Sequence, residues 1–235
     1  MTHETLHSVL ARANGGDGPE ILILRPLTES VVWASLWLEA PRPDQTDRRQ
    51  HGSKVYLIRN ELQEYVGIVL DHGPADLHVY VPPQHRGHHY MSKALREVIL
   101  PHLFLDGREV QHITISRNFG RKTFEAAQNA ALAAGFVPVH RAEDEEQNIA
   151  TLEFTPVNPD DMPYYPGTDT EPSAERLQQI KRQLAYHASC LQLLSDEVAM
   201  HLADDFLPEE IEELAIDVHG LYDKIQRAVR EMKER

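Results

Sequence analysis

One stretch constrains this chain more than any other: Val79-Tyr80-Val81-Pro82-Pro83-Gln84-His85-Arg86-Gly87-His88-His89-Tyr90-Met91-Ser92-Lys93-Ala94-Leu95. It reads as a strand, a turn and a helix in immediate succession. Leu77 to Val81 alternates with β-branched residues, as a strand does. Pro82 and Pro83 stop it, because proline has no donor for a ladder. Ala94, Leu95, Val98 and Ile99 then follow at helical spacing. A loop rich in donors therefore enters a helix N-terminus. Backbone N–H groups there lack helical partners, and the positive end of the helix dipole points outward. Those are the physical requirements of a phosphate cradle.

The rest of the chain can be read around that unit. Residues 3 to 13 suit a short helix with Leu6, Val9 and Leu10 on one face, and Asn14 to Pro19 is a break. Ile21 to Leu24 is an apolar run of strand length. Thr28 predicts an N-cap for a helix over Glu29 to Glu39, with Val32, Leu36 and Trp33 or Trp37 turned inward. Pro41 to Gly52, with Arg42, Arg48, Arg49 and His51, reads as a solvated loop. Lys54 to Arg59 and Glu64 to Leu70 flank Asn60-Glu61 and predict an antiparallel hairpin. Asp71-His72-Gly73-Pro74 is a turn.

After the loop, a helix is expected from about His88 to Leu103 and a strand over Val110 to Ser116. Asn118 to Ala134 is a second helix, with Phe124, Ala127, Ala131 and Leu132 inward and Gly135 at C′. Strands at Phe136 to His140 and Ile149 to Phe154, around a turn at Glu143 to Glu146, complete the order β-α-β-β-β-α-β-α-β-β. The expected class is α/β (α+β), a mixed sheet flanked by helices. The prolines of residues 157–172 mark a linker, so the predicted parts are 1–19, an N-terminal extension; 20–156, the main domain; 157–172; and 173–235.

Val81-x-Pro83, Arg86-Gly87 and the continuation Ser92-Lys93-Ala94-Leu95 resemble the acetyl-CoA loop of the GCN5-related N-acetyltransferase (GNAT) family. That family's pattern is V-x-P, then R-G-x-G-x-G/A, then a helix. Gly135-Phe136 after the second helix resembles it too, so the likeness spans roughly residues 20 to 156. It implies a GNAT-like fold and an N-acyltransferase that moves an acetyl or other acyl group from acyl-CoA to an amine on a small molecule or protein. It also implies that acetyl-CoA or another acyl-CoA is held by Val79, Val81, Arg86, Gly87, His88, His89, Tyr90 and Met91.

The pattern has gaps. His89 and Met91 stand where the family has its second and third small residues. Ala131 occupies the usual position of the tyrosine that protonates the leaving thiolate, and Phe124 that of an early asparagine; Asn118 lies six residues before it. Candidates for a base are His78, Asp71 with its neighbour His72, and Ser116 acting through water. Each also has an ordinary strand or turn reading. Two functional readings stand: an acyltransferase, or a GNAT-like scaffold without catalysis that binds or regulates through its C-terminal part.

Charge and composition narrow the field. A net charge of −14 argues against general nucleic-acid or acidic-membrane binding. The single cysteine, Cys190, excludes an intramolecular disulfide and suits a reducing compartment. No apolar run approaches the ~20 residues of a membrane span, so a soluble, cytoplasmic protein is expected. His85, His88 and His89 are dense, but no carboxylate or thiolate joins them at ligand spacing, so no metal is assigned.

Residues 173–235 carry a different pattern. Ser173 predicts the cap of a helix to about Asp205, with Leu177, Ile180, Leu184, Ala188 and Leu191 at three- and four-residue intervals. Pro208 suits the first turn of a second helix, whose stripe includes Ile211, Leu214, Val218, Leu221 and Ile225. The expectation is an antiparallel hairpin that packs on the main domain, or that forms a homodimer or binds a partner protein.

Overall fold

Val31–Trp37 is a strand rather than a helix, and this changes how the sheet begins. In the computed structural model, which describes residues 2–43, 45, 52–105, 107–140, 144, 146–158, 161–202 and 206–234, Thr28 does accept a backbone N–H three residues on, that of Val31 at 3.1 Å. The cap does not start a helix. The N–H groups of Leu27 and Thr28 both donate to the Val31 carbonyl, which closes a hairpin turn instead. Val31, Val32, Trp33 and Trp37 are β-branched or aromatic, and pairing on both sides selects the extended form over local helix signals.

The chain divides into two compact units, Met1–Thr168 and Asp169–Arg235. The first begins with α1 (His3–Ala13) and continues through β1 (Ile21–Pro26), β2 (Val31–Trp37), β3 (Ser53–Arg59), β4 (Tyr65–Asp71) and β5 (Leu77–Tyr80). These five strands form one antiparallel sheet in sequence order. A helical run follows, made of α2 (Tyr90–Ala94), a π turn (Leu95–Ile99) and α3 (Leu100–Phe104). The wide turn immediately precedes Pro101, which has no N–H to give an α-helical ladder. Then come β6 (Gln111–Ser116), α4 (Arg121–Ala133), β7 (Val137–Val139) and β8 (Ile149–Phe154), with the last three strands ordered β6-β8-β7 in a second sheet.

Both faces of the larger sheet are covered. Leu6, Val9 and Leu10 of α1 pack on Val32, Leu36, Leu57 and Leu70. Leu95, Ile99, Leu100 and Phe104 cover the opposite face with Tyr56, Val69 and Leu77, and the same core takes in Ile113, Phe136 and Leu152. The architecture is mixed α+β, antiparallel sheets flanked by helices. Its first covering helix comes from the N-terminal segment instead of from between the first two strands.

α4 ends as its glycine implies. The Phe136 N–H donates to the Ala131 carbonyl at 3.1 Å and the Gly135 N–H to the Leu132 carbonyl at 3.0 Å, with Gly135 at φ +101°. This is a Schellman closure. Ala131 is buried and Phe124 half-buried, but Ala127 is exposed and Leu132 is 42% exposed, so two of the four expected inward positions are corrected. Arg48, Arg49, His51, Glu143 and Glu145 lie outside the described residues. Asp144 is buried, accepting from the N–H and Oγ1 of Thr151.

The second unit is an antiparallel pair, α5 (Ala174–His201) and α6 (Phe206–Glu234). Ser173 Oγ accepts from the Arg176 N–H at 3.1 Å, the cap expected there. Ser195 Oγ donates to the Pro208 carbonyl at 2.8 Å, and Lys181 Nζ lies 5.1 Å from the Tyr222 ring centre. These two contacts fix the register. No helix among the described residues is long and apolar enough to cross a membrane.

Candidate functional site

β5 and β6 are neighbours without being paired. At their starts they are pinned by side chains. Arg108 forms an ion pair with Asp71 at 3.1 Å, with both side chains largely buried. The Thr114 N–H and Oγ1 each donate to Asp76 Oδ1 at 2.8 Å, and fully buried Gln111 donates through Nε2 to the Gly73 carbonyl at 3.2 Å. Beyond these contacts the strands belong to separate sheets, and among the described residues β5 has only β4 as a ladder partner. The second edge of β5 thus carries unpaired backbone donors and acceptors.

A cavity of about 1130 Å³ lies against that edge. One wall is β5 and the loop after it, including His78, Val79, Val81, Arg86, Gly87 and His89. The other is Ile113 to Ser116 of β6 with Lys122, Ala126, Ala127, Ala130 and Ala133 of α4. α4 presents small side chains at helical spacing, so this wall is smooth and largely apolar.

The loop is organised by its own residues. Arg86 Nε donates to the Val81 carbonyl at 3.0 Å, tying the loop back to the strand. Gly87 has φ +83° and open space where a Cβ would stand. His89 has φ +60° and ψ +9°, the left-handed region where a side chain is costly, and directly precedes α2. No side chain caps that helix start. Its first bond runs from the Lys93 N–H to the His89 carbonyl at 3.0 Å, so the N–H groups just ahead have no acceptor within the helix. The backbone therefore takes the shape a glycine would have given it.

Met91 turns inward. It is buried in the core, and its Cε would lie 3.3 Å from a Cβ placed on Gly67 of β4, so the missing side chain of Gly67 makes the room. His88 is exposed, stacks on Tyr90 with ring centres 5.5 Å apart, and is not among the cavity residues. The Tyr90 hydroxyl donates to Glu61 Oε2 at 2.9 Å, which raises the tyrosine pKa. The Glu61 pKa is lowered, first by its own backbone N–H and then by Tyr90.

Of the candidate bases, His78 and Ser116 line the cavity and Asp71 does not. Besides its pair with Arg108, Asp71 accepts from the Gly73 N–H at 2.8 Å, so its carboxylate is committed to holding the strand starts together. Ser116 Oγ accepts from the Asn118 N–H. Burial lowers the pKa of half-buried His78, the nearby His3 lowers it further, and Asp76 opposes both. The net lowering favours the neutral imidazole, the form that accepts a proton.

α1 supplies residues that sequence reasoning did not place here. The His3 ring stacks on Phe119 at 5.0 Å and lies 5.3 Å from His78 and 5.4 Å from Tyr80. Thr2, His3 and Glu4 all line the cavity. Nothing local in the sequence marks an N-terminal helix as part of a cleft built from β5 and β6. The alanine spacing of α4 was a usable signal for Ala126, Ala130 and Ala133. Among the described residues, no group of three or more His, Cys, Asp or Glu is arranged to hold a metal ion.

No family model and no curated protein matches the chain. Similar solved structures include a mutant SpeG spermidine N-acetyltransferase from Vibrio cholerae, at 12% identity and TM-score 0.35, covering 44% of this chain and 64% of the other. The same enzyme in complex with CoA and spermine aligns at 12% identity and TM-score 0.35 over 44% and 65%. A putative acyl-CoA N-acyltransferase from Klebsiella pneumoniae aligns at 16% identity and TM-score 0.34 over 44% and 72%. The chain thus spans 64% of the length of the first of these. With every TM-score below 0.5, these alignments carry no weight for function, which has to be argued from this chain's own residues.

Proposed function

We propose that the first unit is a GNAT-type N-acyltransferase that uses acetyl-CoA or another acyl-CoA and an amine on a small molecule or protein. The observation that carries this reading is the cleft between β5 and β6, closed at one end by an uncapped helix start and the Arg86-Gly87 loop. The fit is physical. Open space at Gly87 and the free N–H groups before α2 suit a pyrophosphate, the bare edge of β5 suits the amides of an extended arm, and the alanines of α4 leave it room. Val79, Val81, Arg86, Gly87, His89, Tyr90 and Met91, all of which line the cavity, would hold the cofactor.

An acyl-CoA bound there supplies a thioester, whose C–S bond breaks as a C–N bond to the amine forms. His78, whose neutral form burial favours, takes the proton the amine loses. The His3 ring packs between His78 and Tyr80, 5.3 Å from the first and 5.4 Å from the second, and restricts how the His78 ring turns. No phenol stands on the α4 wall, and the hydroxyls of Tyr80 and Tyr90 are bonded to His7 and Glu61, so the thiolate takes its proton from water. A cytoplasmic, reducing setting belongs to the same reading.

One observation favours a second reading. Ala131 is buried in the closure of α4, so the usual acid is absent and the helix has no room for it. A scaffold that binds acyl-CoA without turning it over is the consequence. Thiol release from acetyl-CoA in the presence of a panel of amines separates the two. Turnover that falls at least tenfold in kcat for His78→Gln, with KM for acetyl-CoA little changed, supports the enzyme. Tight binding with no amine-dependent thiol release supports the scaffold.

A further inference from the structure

The second unit is the less complete of the two. Among the described residues of its two long helices, only Ala188, Ser195, Ala215 and Tyr222 are buried. One flank is apolar and exposed: Leu207, Leu214 and Leu221 recur every seven residues along α6, at 40%, 56% and 39% exposure, and Leu194 of α5 is 47% exposed. In the register set by Ser195–Pro208 and Lys181–Tyr222, all four leucines fall on the same side of the antiparallel pair. The opposite side carries Gln178, Gln192, Glu212, His219 and Gln226. One side of the hairpin is thus built like the interior of a larger bundle and the other like its surface.

Charge identifies the occupant. The half of the hairpin nearest the turn, residues 188–201 and 206–220, has seven carboxylates and no Lys or Arg. The other half, residues 174–187 and 221–234, has seven Lys or Arg against four carboxylates. Like charges are stacked side by side within one hairpin. They are neutralised when a second hairpin lies antiparallel, acidic turn end against basic open end. A two-fold axis across the middle of the rod does this and brings the two leucine flanks together. We infer that a second copy of this chain covers the Leu194, Leu207, Leu214 and Leu221 flank, forming an antiparallel four-helix bundle. Tyr186, Leu193 and Met200 lie on the outer face of α5, outside this seam.

The test uses the full chain. Sedimentation equilibrium at micromolar loading is expected to give twice the 26.8 kDa chain mass. Leu214→Asp should return it to the single-chain mass with helix content unchanged by circular dichroism, because Leu214 is exposed within one chain. Leu193→Ser should leave the dimer intact. Reversing Arg227 and Arg230 to Glu should raise the dimer Kd about tenfold at low salt, a gap that closes as salt screens it. Orientation is read by spin labels, one at the exposed Cys190 and one at Glu197→Cys in a Cys190→Ser background. In an antiparallel pair the label separation along the bundle is about 20 Å greater at 197 than at 190, from the rise of ~1.5 Å per residue. Equal separations would overturn the antiparallel arrangement. A single-chain mass for the unmodified protein, or a dimer indifferent to Leu214→Asp, would overturn the seam.

Discussion

The two walls of the cleft differ in what they bring. The β5 wall and its loop carry a bare strand edge, a guanidinium, a positive-φ glycine and a histidine whose neutral form is favoured. The α4 wall carries four alanines with Lys122, Thr123 and Asn129. Binding groups and proton-accepting groups thus lie on one side, and the other side is shaped chiefly to leave space.

The clamp that holds the starts of the two wall strands together should give the largest effect when broken. Asp71→Asn removes the charge that partners Arg108 and leaves a largely buried guanidinium without it. Chemical denaturation should show a loss of about 3 kcal/mol. A loss below ~0.5 kcal/mol, the size usual for surface changes, would mean the strand starts are held by Gln111 and Thr114 alone.

Arg86→Ala comes next. It removes both the tie to Val81 and a cation at the loop, and calorimetry should show acetyl-CoA binding weakened about tenfold, ~1.4 kcal/mol. Lys122→Ala, on the opposing wall, should weaken it less. The reverse ranking would move the anchor to α4.

His89→Gly should stabilise the fold by up to about 1 kcal/mol, because glycine adopts φ +60° without the cost a side chain incurs. Acetyl-CoA affinity should hold, because the part proposed for His89 belongs to its backbone, which glycine keeps. A drop would show that the imidazole itself contacts phosphate.

The smallest effect is a pH slope. The His78 pKa is lowered in the folded chain, so between that value and 6.5 the unfolded chain binds more protons. The stability linked to this group is fully present above pH 6.5 and is lost as pH falls through that window. In His78→Gln this component of the slope should vanish; an unchanged profile would place the titration on other groups.

What the sequence made visible was local. The strand-loop-helix unit, the Gly135 closure and the stripes of α5 and α6 each depend on residues within a few positions of one another. What it hid was tertiary. Thr28 makes a cap-like bond to Val31, yet pairing with β1 and β3 turns the segment into a strand. Asp71 reads as turn chemistry until Arg108 is brought beside it. Met91 looks like an obstruction until Gly67, on another strand, is seen to make room for it. His3 enters the cleft only because α1 covers the sheet face to which β5 belongs.

Calorimetric titration of the full chain with acetyl-CoA tests the central claim most directly. Saturable binding at one site per chain, weakened by Arg86→Ala, is the predicted result. No detectable heat at millimolar acetyl-CoA, or binding indifferent to Arg86→Ala, would contradict a cofactor cleft between β5 and β6.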